Sequence, residues 1–197
     1  MADLRERQLA MARQTIVDAC AQLVTERRHL DFAMKDVAER AGVSLRTVYN
    51  HFPAREDLLD AMGRDFDRQL AERGGPEASD LQPRDDLGGA VRTNFGLFEE
   101  LNGVSEAFAQ MPLAEIGRNV DRQKRTRLIV DHLVTQMPSA PHEEAHDIAV
   151  MLRHLLSHRS WFWLTREYGL TTEAAADVVT WAMTTLIDAA ERGDGPN

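Results

Sequence analysis

The chain has a single cysteine, Cys20, among its 197 residues, so an internal disulfide and the disulfide-stapled class of small secreted domains are excluded. Cys20 falls in an apolar helix stripe, where it reads as a small buried filler. Every apolar stretch is interrupted by Arg, His, Asp or Glu well short of the roughly 20 residues that a membrane-spanning helix needs. The opening run MADLRERQLAMARQ lacks the apolar core of a signal peptide, and a cytoplasmic location is therefore expected. Strand-like alternation, internal repeats and low-complexity runs are also missing. So are a Gly-rich phosphate loop, a Cys/His metal quartet and a nucleophile elbow, and neither an enzyme nor a bound cofactor or metal is expected.

Positive charge is scarce as well, since the net charge is −9. Its distribution matters more than its total. Residues 1–60 carry nine Lys and Arg against ten Asp and Glu, whereas residues 61–197 carry 14 against 22. The acidity belongs to the second part, and attraction to phosphate depends on the face that is presented. Charge neither requires nor forbids a nucleic-acid partner.

What the chain does have is helical periodicity, in a composition that is 43% hydrophobic and sufficient for a real core. Leu9, Ala12, Ile16, Cys20, Leu23 and Val24 recur at three- and four-residue steps, predicting a first helix over about 5–28. Two short helices flank Ala41-Gly42-Val43. A fourth begins after Phe52-Pro53, where Glu56 and Asp57 suit the positive end of a helix, and continues to about residue 72. Residues 74–86 read as a linker. Beyond it, apolar-periodic segments lie near 87–101, 104–110, 113–136, 142–168 and 172–191. The expected class is all-α with about nine helices, the first three or four forming a head.

Within the head, the stretch MKDVAERAGVSLRTVYNHFPAREDLL carries the chemistry. Met34–Ala41 forms a short helix with Val37, Ala38 and Ala41 inward. Gly42 can take the positive φ that a tight turn requires, and Val43 plugs the turn into the core. Ser44 is a good N-cap. The helix from Leu45 to about His51 buries Val48 and points Leu45, Arg46, Thr47 and Asn50 outward. A small helix, a Gly turn and a Ser-capped helix with a polar outer face make a helix-turn-helix, whose second helix lies in the DNA major groove. A pure protein-interaction module leaves the exposed Arg46, Thr47 and Asn50 unexplained.

Ala41-Gly42-Val43-Ser44, Val48-Tyr49-Asn50-His51-Phe52 and Arg55-Glu56-Asp57-Leu58-Leu59 resemble, position by position, the N-terminal domain of the TetR family of transcriptional repressors. Two positions depart from that pattern. Phe32-Ala33 stand where the family usually has a capping Thr that also contacts phosphate, and Arg55 replaces its usual Lys, which changes the hydrogen-bonding fork.

Contacts to DNA sort into base readers and backbone clamps. Arg46 suits guanine and Asn50 suits adenine, while Leu45 and the Thr47 methyl could meet thymine methyls. Ser44, Tyr49, His51 and Arg55 resemble the family's phosphate-clamp positions, and Lys35 could join them. Tyr49 suits packing under the second helix equally well.

The resemblance implies a helix-turn-helix domain over residues 1–60 and a ligand-binding and dimerisation domain over 61–197. It implies a homodimer formed through the last two helices on a palindromic operator, and a small-molecule effector that shifts the fourth helix and so the spacing of the heads. Phe95, Phe98, Phe108 and Met111 are candidates for the pocket, as are Met151, Phe162 and Trp163, because Met and aromatic side chains suit an adaptable apolar site. Each suits ordinary core as well.

His142, His146, His154 and His158 recur at multiples of four, a spacing that can align metal ligands. The apolar face of that segment (Ala145, Ile148, Leu152, Leu155, Leu156, Trp163) lies largely across from His154 and His158. A solvated or dimer-facing stripe is the expected reading.

Overall fold

The computed structural model describes residues 2–75, 87–110 and 120–196, and among these every regular element is a helix. Helix α1 (Ala2–Arg27) packs against α2 (Met34–Ala41), α4 (Arg55–Glu72) and α6 (Asn102–Ala109), and α2 packs on α3 (Leu45–His51). Helix α5 (Leu87–Glu100) lies along α10 (Thr172–Glu191). Helix α7 (Val120–Val134) pairs with α8 (His142–Leu155), and α9 (His158–Phe162) joins α6. Most of the expected linker, residues 76–86, lies outside the described residues.

The buried face of α1 begins later than the periodicity predicts. Ile16, Val17, Cys20, Leu23 and Val24 are buried, but Leu9 is 51% exposed and Ala12 only half-buried. Helices α2, α4 and α6 pack on α1, and burial along it begins at Ile16, so among the described residues the apolar side chains of its first turns stay uncovered. A stripe records what a helix can bury, and tertiary packing decides what it does bury.

The segment expected as one helix over 142–168 is broken. Helix α8 ends at Leu155, and Ser157, in an extended conformation, caps α9 by accepting the Ser160 N–H at 3.2 Å. Helix α9 then widens into a π turn, Trp163–Glu167, closed where the Tyr168 N–H donates to the Trp163 carbonyl at 3.0 Å. The break lets α9 leave the line of α8 and bury Trp161 completely against the body. Helix α4 runs without interruption through residue 60 and carries Leu58, Leu59, Met62 and Phe66 into the core that α1 shares with the body.

Candidate nucleic-acid interface

The reading head is assembled as its sequence requires. Gly42 ends α2 in the left-handed region (φ 67°, ψ 28°), where a Cβ would be disfavoured. The Gly42 N–H donates to the Glu39 carbonyl at 3.2 Å and the Val43 N–H to the Ala38 carbonyl at 3.0 Å. Ser44 Oγ accepts the Thr47 N–H at 3.0 Å, and the two hydroxyls lie 2.8 Å apart. Helix α3 is only seven residues long, too short to persist by propensity alone, and Val48 and Phe52 root it in the core without any exposure. The Arg13 guanidinium of α1 stacks over the Phe52 ring at 4.6 Å. The fixed root leaves the outer face of α3 rigidly presented.

That face carries Leu45, Arg46, Tyr49 and Asn50, all exposed, with Thr47 half-buried beside its Ser44 partner. Arg46, Tyr49 and Asn50 make no hydrogen bond or ion pair among the described residues. Lys35 is exposed on α2, and His51 is half-buried at the end of α3. Two of the head's acids, Glu26 and Asp36, are engaged by arginines. The two Glu26 oxygens take the Arg40 fork at 2.7 Å each, which holds the Glu26 carboxyl below its usual range. Asp36 takes Arg27 at 2.8 Å, and its carboxyl is lowered by that bond.

Arg55 is placed differently from the clamp positions. It is half-buried, its guanidinium donates to the Leu30 carbonyl, and it lies over the Phe32 ring at 4.8 Å. The departure read at Phe32-Ala33 belongs to the same arrangement. Ala33 starts α2 with no side-chain cap, and the Phe32 ring that replaces a polar contact is the surface on which Arg55 rests. Asp57 completes the entry to α4 by accepting the Ala54 N–H at 2.9 Å.

The residues expected to line an effector pocket fall in two settings. Phe95, Phe98, Phe108 and Phe162 are buried, but Met151 and Trp163 turn outward with 51% and 47% exposure. Met111 lies outside the described residues. Met151 is carried by the outer face of α8, and the π turn swings Trp163 away from the face that Trp161 and Phe162 bury. Phe98 and Phe108 instead enclose His158, their ring centroids 5.8 and 6.2 Å from its imidazole, with Phe66 of α4 at 6.5 Å. A cavity of about 290 Å³ lies elsewhere, between α1, α4 and the start of α6, and none of the seven residues lines it. Met62, Phe66, Leu101 and Val104 give it an apolar wall, while Gln22 and Gln69 stand at its polar side. No cluster of three or more His, Cys, Asp or Glu side chains suited to a metal occurs among the described residues, the histidine row included.

Residues 16–62 match the family model of the bacterial regulatory proteins of the tetR family. The match contains α2, the Gly42 turn, α3 and the residues that root them. The head carries the N-terminal domain of the tetR family. Over 57 residues it is 39% identical to the HTH-type transcriptional repressor KstR of Mycolicibacterium smegmatis, a stretch that spans 28% of each protein. A solved structure assigned to the TetR-family transcriptional regulators, from Syntrophomonas wolfei, superposes with a TM-score of 0.59. It covers 91% of this chain and 96% of its own, at 18% identity. The head is thus matched in sequence, and the two-part helical fold of the chain is matched in shape. No described helix is long and apolar enough to cross a membrane.

The sequence reading missed three groups that the fold brings into play. Arg13 supports the root of α3, the Asp65 carboxylate is buried on α4, and Glu106 is buried at the junction of head and body. A lone acid inside the apolar run Val104-Ser105-Glu106-Ala107-Phe108 was the one available signal for the last of these.

Proposed function

We propose that this TetR-family protein is a sequence-specific DNA-binding transcriptional regulator, a repressor that a small-molecule effector releases from a palindromic operator. The carrying observation is the outer face of α3, where exposed, unpartnered Arg46 and Asn50 stand on a helix whose other side is locked in the core. Arg46 and Asn50 read base edges through two-bond contacts to guanine and adenine. Leu45 and Thr47 add methyl contacts, and Ser44, Tyr49, His51 and Lys35 hold phosphates. Arg55 supports this grip from behind.

The protein acts as a homodimer through α8 and α10. These helices pack on each other and turn Val150, Met151, Val178 and Trp181 outward, with Trp181 70% exposed. Such an apolar strip suits a two-fold interface. The effector response rests on the family relationship, and binding rather than catalysis is the proposed role of the body. The cavity between α1, α4 and α6 is where a small molecule would act most directly on the head.

Selection of bound duplexes from a random pool with the full-length protein tests this reading. The expected product is a palindrome with half-sites about one helical turn apart, bound with an affinity that falls steeply as salt rises. Recovery of no enriched sequence would sink it.

A further inference from the structure

Glu106 is buried, with its side chain 5% exposed, and it sits on α6 between two arginines from opposite parts of the molecule. Arg28, at the end of α1, reaches its two oxygens at 3.3 and 3.2 Å. Arg166, presented by the π turn, donates Nε–H to Oε1 at 2.6 Å. A carboxylate in this position cannot rely on water, and its burial is tolerable only while its charged partners stay in place.

The same arginine is held twice more. Arg28 has φ 52°, a left-handed conformation that a residue with a Cβ adopts only under strain. Its carbonyl accepts the Gln110 amide at 3.2 Å, just beyond α6. Side chain and main chain of this strained residue are therefore both fixed by one segment of the body. Beside them, Gly103 of α6 lies so close to α1 that a Cβ would stand 2.7 Å from Thr25 Cα. On the far side, Arg166 also binds Glu99 of α5 at 2.9 Å, and Glu99 accepts the Thr172 hydroxyl at the start of α10 at 3.0 Å. A continuous polar path thus runs from α10 through Glu99, Arg166, Glu106 and Arg28 to the helix that carries the reading head.

We propose that Glu106 is the positioning residue that locks the orientation of the head on the body, and thereby the spacing of the two recognition helices in the dimer. Without the Glu106 carboxylate, Arg28 has no reason to keep its strained conformation, and α1 can turn about the Gly103 contact while α2 and α3 stay folded on it. The spacing consequence rests on the DNA-reading proposal; the orientation itself does not.

The orientation is measured on full-length protein carrying spin labels at Glu39→Cys in the head and Glu173→Cys in the body, diluted with unlabelled chain so that distances within one protomer are read. Cys20 is buried and stays unlabelled. The parent protein should give one narrow distance distribution. Glu106→Gln and Arg28→Ala should broaden or shift it, and Arg28→Lys, which keeps a charge for Glu106, should restore most of it. Arg28 has an exposed side chain, so its variants test the lock even where Glu106→Gln folds poorly. Unchanged distributions in both variants overturn the proposal.

On duplexes recovered by the random-pool selection, the parent should lose at least about tenfold in affinity when the spacer grows by one base pair, and the variants less than about threefold, with half-site preference unchanged. Equal spacer profiles also overturn it. Failure of the parent to enrich any duplex would count against DNA reading, leaving the distance measurement to judge the lock.

Discussion

Replacing Arg55 with alanine separates two physical roles that one position can have. As a phosphate clamp, Arg55 would contribute to binding and little to stability. Removing it would lower the slope of log affinity against log salt by about 0.9 for the one lost phosphate. The structure gives its guanidinium to the Leu30 carbonyl and the Phe32 ring instead. A hydrogen bond from a charged donor contributes about 1.5–3 kcal/mol and a cation–π contact about 0.5–2, both toward their lower ends at a half-exposed site. Together they amount to about 2 kcal/mol. For a chain of this size, that corresponds to a fall of about 4–8 °C in melting temperature. Thermal and urea unfolding of Arg55→Ala measure it, with Arg55→Lys as a control that keeps charge but loses the planar fork. The lysine variant should recover less than half of the loss. The salt slope of duplex binding should hardly change in either variant. A melting temperature equal to the parent's, together with a reduced salt slope, would refute the assignment and return Arg55 to the backbone clamp.

Ser44→Ala removes the cap of a seven-residue helix and should cost about 1 kcal/mol in urea unfolding, with Ser44→Gly costing only a few tenths. Arg46→Ala should lose about 1–3 kcal/mol of affinity and relax the preference at one base pair of a selected half-site, read by repeating the selection with the variant. Asp65 is opposed by burial, but bonds from Arg68, Gln69 and Gln14 outweigh it and hold its carboxyl below the usual range. Its contribution is therefore fully present above the ordinary aspartate value of about 3.9 and is lost as pH falls below it. Asp65→Asn should be less stable than the parent at neutral pH, and the gap should close below about pH 4 in parallel urea titrations. Trp181→Glu should shift the protein from dimer to monomer in sedimentation while leaving its helix content intact. An unchanged dimer would move the interface away from α10.

The helix-turn-helix was legible because everything that makes it is local. Gly42 must supply a left-handed turn, Ser44 must cap the helix that follows, and Val48 must face inward, and these requirements fall on neighbouring residues. A pattern over contiguous positions reports backbone conformation directly. The same locality gave the helical class, and the helix ends near Gly and Pro.

Choices that depend on distant partners lay beyond the sequence. Leu9 belongs to the stripe of α1 yet stays exposed, because among the described residues the buried face of α1 begins only at Ile16. Met151 and Trp163 have the chemistry of a pocket and point outward, since the break at Ser157 and the π turn after it set which face of each helix meets the body. Arg55 matches a basic position of the family pattern, and only the approach of Leu30 and Phe32 turns it inward. The sequence by itself determined the helical class, the turn at Gly42 and which face of α3 is free of the core. The tertiary structure alone decided that residues 28, 166 and 99 join one charge path around the buried Glu106, because the partners of a carboxylate are chosen by proximity in space, and no spacing along the chain records that choice.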